Sequence, residues 1–361
     1  MSSYGRFLVL VVAAVVFGVP EHGQARDWFA GGQAALQKAK KLKPVEGRAR
    51  NVILFVGDGM GVSTVTAARI LEGQLQGHSG EENQLAFEQL PYLALSKTYS
   101  VNQQTPDSAP TMNAMMTGVK TNDGIFGVSE AVKRKETRWS VVNSNRLMSL
   151  LELAELRGLS NGVVTTARLT HATPAACYAH TSERDWESDA DQPFDTDVPD
   201  IARQLVEFPF GDGLEVAMGG GRRAFLPESA TDGEGRKGRR KDRRDLTGEW
   251  VQQYPNAAYV WNLEQFRQVD PSTTDHLLGL FESSHMQYEA DRIAGDATEP
   301  SLSEMTEKAI ALLSRNKKGF FLHVEAGRID HAHHAGNAYR ALTDTIAFSD
   351  AVRTAMRLVD L

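Results

Sequence analysis

NVILFVG at residues 51–57 is a short, β-branched apolar run, and VSTVTAARILE at residues 62–72 follows it with helical spacing. A run without polar alternation suits a strand buried on both faces of a parallel sheet. Gly73 offers the helix behind it a C-terminal stop. The same strand-then-helix pattern recurs along the chain. Arg26 to Gly47 is a polar helical lead-in. Arg146 to Arg157 reads as a Leu-rich amphipathic helix ending at Gly158, ahead of a strand at Gly162 to Thr166. Leu214 to Met218 is a strand closing on Gly219-Gly220-Gly221. Ser303 to Arg315 reads as a helix with a Ser N-cap and Thr306 at its third position, where a capping box would carry Glu. Gly319 to Glu325 (GFFLHVE) is a further strand, and Asn337 to Val359 a long amphipathic helix. This alternation predicts an α/β fold with a mainly parallel central sheet flanked by helices on both faces. No internal repeat is present.

Composition narrows the class. The chain has 361 residues, 41% hydrophobic and 24% charged, which excludes a disordered or fibrous protein. Its net charge of −7 argues against general nucleic-acid binding, which needs a basic footprint. Cys177 is the only cysteine, so any metal must be held by His, Asp, Glu or hydroxyl oxygen. Arg6 precedes an apolar run from Phe7 to Val19, too short to span a bilayer and suited to the core of a secretory signal. Gly23-Gln24-Ala25 supplies small residues for cleavage after Ala25, so residues 1–25 are expected to be a signal peptide directing export to a periplasm or beyond. Two stretches interrupt the pattern. Thr231 to Asp245 carries seven Lys or Arg among the nine residues Arg236 to Arg244, and reads as a solvated surface loop ahead of an anion-binding patch. Asp185 to Asp200 is an acidic loop with two prolines.

Three clusters carry chemistry. In Val56-Gly57-Asp58-Gly59-Met60-Gly61 a carboxylate stands at the carboxyl end of a buried strand among glycines. Taken alone it fits a turn or helix N-cap equally well. In TPDSAPTMNAMMTG, residues 105–118, Asp107 and Ser108 precede an apolar helical run. Ser108 should then lie at a helix N-terminus, where free N–H groups stabilise an anion; an ordinary Ser N-cap is the plain alternative. The third cluster, FLHVEAGRIDHAHH at residues 321–334, gathers four histidines and two carboxylates directly after a strand. Asp330 and His334 are spaced i, i+4 and share a helix face, and Glu325 ends the strand beside them, which points to a site for two or three metal ions.

With these clusters in place the sequence resembles the alkaline phosphatase family, and its animal branch more than the enteric bacterial one. VGDGMG, PDSAPTMNAMMTG, THATPAACYAH, ERDWESDAD, MGGGRR, AYVWN, GLFE and FFLHVEAGRIDHAHH are similar to that family's blocks, in order, from about Asn51 to the end of the chain. The resemblance implies a phosphate monoester hydrolase using two zinc ions and one magnesium. Ser108 would be the nucleophile that becomes phosphoserine, with Asp107 beside it, and Arg184 would clasp the substrate phosphate. Asp58 would bridge the second zinc and the magnesium, Asp330 and His334 would hold the first zinc, and Thr173 and Glu325 would hold the magnesium. His171 and His331 would stand just behind the metals. A calcium-like ion would take Glu234, Phe281, Glu282 and Glu299, the last replacing the family's Asp. Small phosphate monoesters and inorganic phosphate are the implied ligands, and a homodimer the implied assembly.

One departure accompanies the resemblance. The family's Thr-Ala-Asp-His-Ser-His and His-x-Gly-Glu blocks, which complete both zinc sites, are not among these residues. Residues 26–361 are therefore expected to correspond to the N-terminal two-thirds of the family's domain. Two alternatives stand beside the enzyme: a weak or inactive metal- and phosphate-binding remnant, and a phosphodiesterase or sulfatase of the same superfamily. The Ser108 context matches the phosphatase block rather than a sulfatase motif.

Overall fold

The computed structural model describes residues 27–43 and 47–359, so the expected signal peptide lies outside the described residues. The chain divides into two compact units, one ending at Gly47 and the other beginning at Arg48. The first holds the expected lead-in helix, Trp28–Lys40, whose N-cap Asp27 accepts a hydrogen bond from the Ala30 amide.

The second unit is built on one six-stranded sheet. Its strands are β1 (Val52–Gly57), β2 (Ser160–Arg168), β3 (Val216–Gly220), β4 (Ala257–Val260), β5 (His276–Leu280) and β6 (Phe320–Ala326). They are ordered β1-β6-β2-β3-β5-β4, and every pair is parallel. All seven residues of β6 are buried, as a strand near the centre of a parallel sheet requires. Phe320, Leu322, Val324 and Ala326 join a core with the Leu302–Leu313 and Ala338–Leu358 helices. Phe321 faces a second core with the helices Ser108–Thr117, Leu150–Leu156 and Ile201–Val206. Helices therefore cover both faces, as expected.

Register sets up the site. Val56 of β1 lies beside Glu325 of β6, and Glu325 beside Thr165 of β2. The carboxyl ends of these three neighbouring strands open together, which is where open α/β sheets place their ligands.

Several boundaries differ from expectation. The helix after β1 runs Val62–Leu75, straight through Gly73, which packs against the main chain of Gly80 where a Cβ would come within 2.6 Å. The Leu-rich helix is shorter, Leu150–Leu156, since Ser149 and Glu152 form a capping box that sets its start. The later helix starts at Leu302 rather than Ser303. Ser301 is the cap and Glu304 completes the box, so Thr306 lies one turn inside.

The two irregular stretches also differ. Arg240, expected on a solvated loop, is fully buried and grips Asp200 at 2.9 and 3.0 Å and Asp242 at 2.5 Å. Arg239 reaches Asp191, and Asp189 accepts the main-chain N–H groups of Lys241 and Asp242. The basic and acidic segments are tied together through Arg239 and Arg240, while Arg236, Lys237, Lys241 and Arg243 stay exposed, as a solvated loop requires.

Candidate active site

Ser108 opens the Ser108–Thr117 helix, with Asp107 as N-cap accepting from the Ala109 amide at 2.7 Å. The Ser108 hydroxyl donates to both oxygens of Asp58, at 2.9 and 3.1 Å. Asp58 directly follows β1 and precedes Gly59, whose φ is +63°. A Cβ on Gly59 would lie 2.7 Å from Asp330 Oδ1, so only glycine allows the strand end to approach that carboxylate. Arg184 Nη2 donates to His171 Nε2 at 3.0 Å, while its Nη1 lies 3.3 Å from Asp107. Asp58, Ser108, Arg184, Asp330, His331 and His334 line one cleft of about 770 Å³.

Beneath Ser108 the polar groups are unusually dense. Ligand atoms of Asp58, His171 and Glu325 lie within 4.8 Å of one another. Glu325 is fully buried; its Oε2 accepts from Thr165, and its Oε1 has no hydrogen-bond partner. Thr173 Oγ1 and His171 Nδ1 are likewise buried and unpartnered. Burial, then the Asp58 charge, pushes the Glu325 carboxyl up to about 8. Burial and Asp330 push Asp58 up to about 6, against the opposing pull of Ser108 and Arg184. Buried carboxylates that repel one another beside an orphaned hydroxyl oxygen are the donor set of a divalent cation site.

The histidine-rich segment disperses. On the Arg328–His334 helix, His334 Nε2 lies 3.4 Å from Asp330 Oδ2, the expected pair, with His334 largely exposed. His333 turns to Thr64 at 3.0 Å. His323 is fully buried in β6 with both ring nitrogens unpartnered, and burial holds it down at about 3. His331 accepts from Arg328 Nη1 at 3.0 Å and stands with its ring centroid 5.4 Å from that of His171. Burial and nearby guanidinium groups keep His171 and His331 neutral.

Sequence reasoning missed four residues here. His285 packs against both His171 and His331, Arg168 holds His285, Glu187 holds Arg168, and Thr165 supports Glu325. His285 is a lone histidine in Ser-Ser-His-Met, so no spacing pattern marked it. The expected calcium ligands are neighbours but do not converge. Glu234 is taken by Arg222, Phe281 is in the core, and Glu299 Oε1 accepts from the Gln287 amide at 2.8 Å. Glu299 Oε2 remains buried and unpartnered, and burial raises its carboxyl to about 8. Among the described residues one other acidic group converges: Glu155, Asp212 and Glu215, at the amino ends of β2 and β3 and away from the cleft.

Comparison with known proteins agrees with this geometry. A family model described as alkaline phosphatase matches residues 49–360. The membrane-bound alkaline phosphatase of Bombyx mori is 44% identical over 344 residues, covering 92% of this chain and 62% of the relative. The tissue-nonspecific isozyme of Rattus norvegicus is 45% identical over 361 residues, covering 96% and 68%. The chain thus spans about two-thirds of the length of the curated relatives it matches. Among solved structures, Thermus thermophilus alkaline phosphatase superposes with a TM-score of 0.71 at 31% identity, covering 87% of this chain and 57% of that one. A variant of the enzyme from the Antarctic bacterium TAB5, with Mg bound in its M3 site, gives 0.65 at 25% identity, covering 85% and 73%.

Proposed function

The chain belongs to the alkaline phosphatase family, and from that premise we propose that it hydrolyses phosphate monoesters through a phosphoserine on Ser108. The observation that carries this is the Ser108 hydroxyl, held by Asp58 at a helix N-terminus and facing Arg184 across one cleft. In the first transfer the Ser108 oxygen bonds to phosphorus, the ester P–O bond breaks, and the alcohol leaves with a proton. In the second, water attacks the phosphoserine, inorganic phosphate departs, and Ser108 regains its proton. Asp58 orients the serine lone pairs by accepting its hydrogen bond. The guanidinium of Arg184 matches two nonbridging oxygens at once, and the helix N-terminus adds positive potential. Phosphoryl transfer asks a protein mainly for such positioning and charge.

The donor set fits divalent cations. Asp58, Thr173 and Glu325 would hold magnesium, Asp330 and His334 one zinc, and Asp58 with Ser108 a second; together they would supply positive charge to the phosphoryl oxygens and lower the proton affinity of the attacking oxygens. Calcium at Glu282 and Glu299 would require Glu234 to leave Arg222. Export on residues 1–25 and a homodimer complete the proposal; among the described residues no helix is long and apolar enough to cross a membrane.

Ser108→Ala tests the proposal. With zinc and magnesium present, p-nitrophenyl phosphate turnover should fall by about 10³ or more while magnesium binding persists. Acid quenching of the unaltered chain should trap phosphate on Ser108. Undiminished turnover in the variant would rule the assignment out.

A further inference from the structure

Arg184 is held from behind by a stack of side chains that ends at Glu187, outside the cleft lining. Glu187 grips Arg168 at Nε and Nη2, at 2.7 and 2.5 Å, and also accepts from Thr170. Arg168 in turn holds His285: its main-chain N–H donates to Nδ1 at 3.2 Å, and its Nη1 meets the other ring nitrogen. The backbone around His285 is tied down as well, with Met286 N donating to Thr166 O and Gly221 N to Ser284 O. The His285 ring then packs on His331, centroids 4.1 Å apart, and on His171, 5.4 Å apart and nearly edge-on. His171 presents the Nε2 lone pair to Arg184.

We propose that His285 is a positioning residue for phosphate binding, fixing the His171 ring and through it the guanidinium of Arg184. This rests on the phosphatase reading only for the identity of the anion that Arg184 holds. Arg184 stands between two acceptors, His171 and the Asp107 carboxylate. Asp107 is the charged one, and its pull competes with a bound anion for the same donors. An aligned His171 keeps one edge of the fork turned away from Asp107. Removing the His285 ring opens space beside His171 and His331 and leaves the Arg168 amide without its ring acceptor. His171 is then free to tilt, and Arg184 settles on Asp107. Small misplacements of a binding group have large effects on affinity.

The test compares the full chain with its His285→Ala variant, with zinc and magnesium present. Inorganic phosphate Kd by calorimetry and KM for p-nitrophenyl phosphate should each rise about tenfold, with kcat falling no more than about twofold. A general structural weakening would lower kcat instead. Should the alanine variant not fold, His285→Gln keeps volume without the ring faces, and the same rise is expected. An unchanged phosphate Kd overturns the inference. If the unaltered chain binds phosphate without turning over the ester, the phosphatase reading fails and the Kd comparison still decides. If it binds no phosphate, the ¹⁵N signals of the His171 ring decide: a displaced signal in the variant supports the inference, and an unmoved one overturns it.

Discussion

His323 shows how a residue's chemistry depends on the face it is given. In sequence it is one of four histidines crowded around Glu325 and Asp330, the one that falls inside the strand read at Gly319 to Glu325. In the fold it pairs across with Leu54 of β1 and Val163 of β2, in the middle of the sheet, with neither ring nitrogen satisfied. The i, i+4 pair of Asp330 and His334 was legible because helical spacing alone places both on one face. His285 was not, because its partners come from β2 and from the segment after it, and no local pattern encodes that contact. A buried polar group without a partner costs about 1–3 kcal/mol. His323→Leu should therefore raise stability by roughly that amount and leave phosphate binding unaltered, as read by urea denaturation and calorimetry. A destabilised leucine variant would mean that His323 has a polar partner after all.

At the scale of elements, four of the six strands were legible, β4 and β5 were not, and the helix starts were less so. Apolar runs marked β1, β2, β3 and β6 to within a few residues, since burial on both faces leaves few polar positions to confuse the pattern. Helix starts shifted where two serines competed for one cap: Ser301, not Ser303, has Glu three residues on. By its own composition Thr231 to Asp245 reads as a solvated loop and Asp185 to Asp200 as an acidic one. Their meaning lies in their pairing, with Arg240 buried among Asp200, Asp242 and Asp189. Asp200 also caps the Ile201–Val206 helix through the Arg203 amide, so this cation supports a helix start as well as a loop. Breaking a buried ion pair by removing one partner costs about 3–5 kcal/mol, because the remaining charges stay desolvated. Arg240→Ala should lose about that much stability in urea denaturation. A loss under about 1 kcal/mol would show that water reaches these aspartates.

At the scale of the molecule, the site exists because the sheet places β1, β6 and β2 side by side, although they are far apart in sequence. The α/β class follows from strand–helix alternation, but the strand order does not, and it is the order that brings Asp58 to Glu325. These carboxylates repel each other at the carboxyl ends of neighbouring strands, each raised by burial and by neighbouring charge. A divalent cation between them would replace repulsion with attraction, so its binding should stabilise the whole sheet by mass action. At a hundred times its Kd a ligand adds about 2.7 kcal/mol, and for a unit of this size that corresponds to roughly 4 °C in melting temperature. The expectation is that the chain melts higher in excess magnesium than in EDTA by about that margin. Glu325→Gln should abolish the difference. At about pH 9, above the raised Glu325 value, it should also melt above the unaltered chain in EDTA, because the amide then removes the like charge facing Asp58 and fills nearly the same volume. Equal melting of the unaltered chain with and without magnesium would rule out a cation held by Asp58, Thr173 and Glu325. A magnesium effect that survives Glu325→Gln would move the ion to other ligands, of which Asp330 and His334 are the nearest pair.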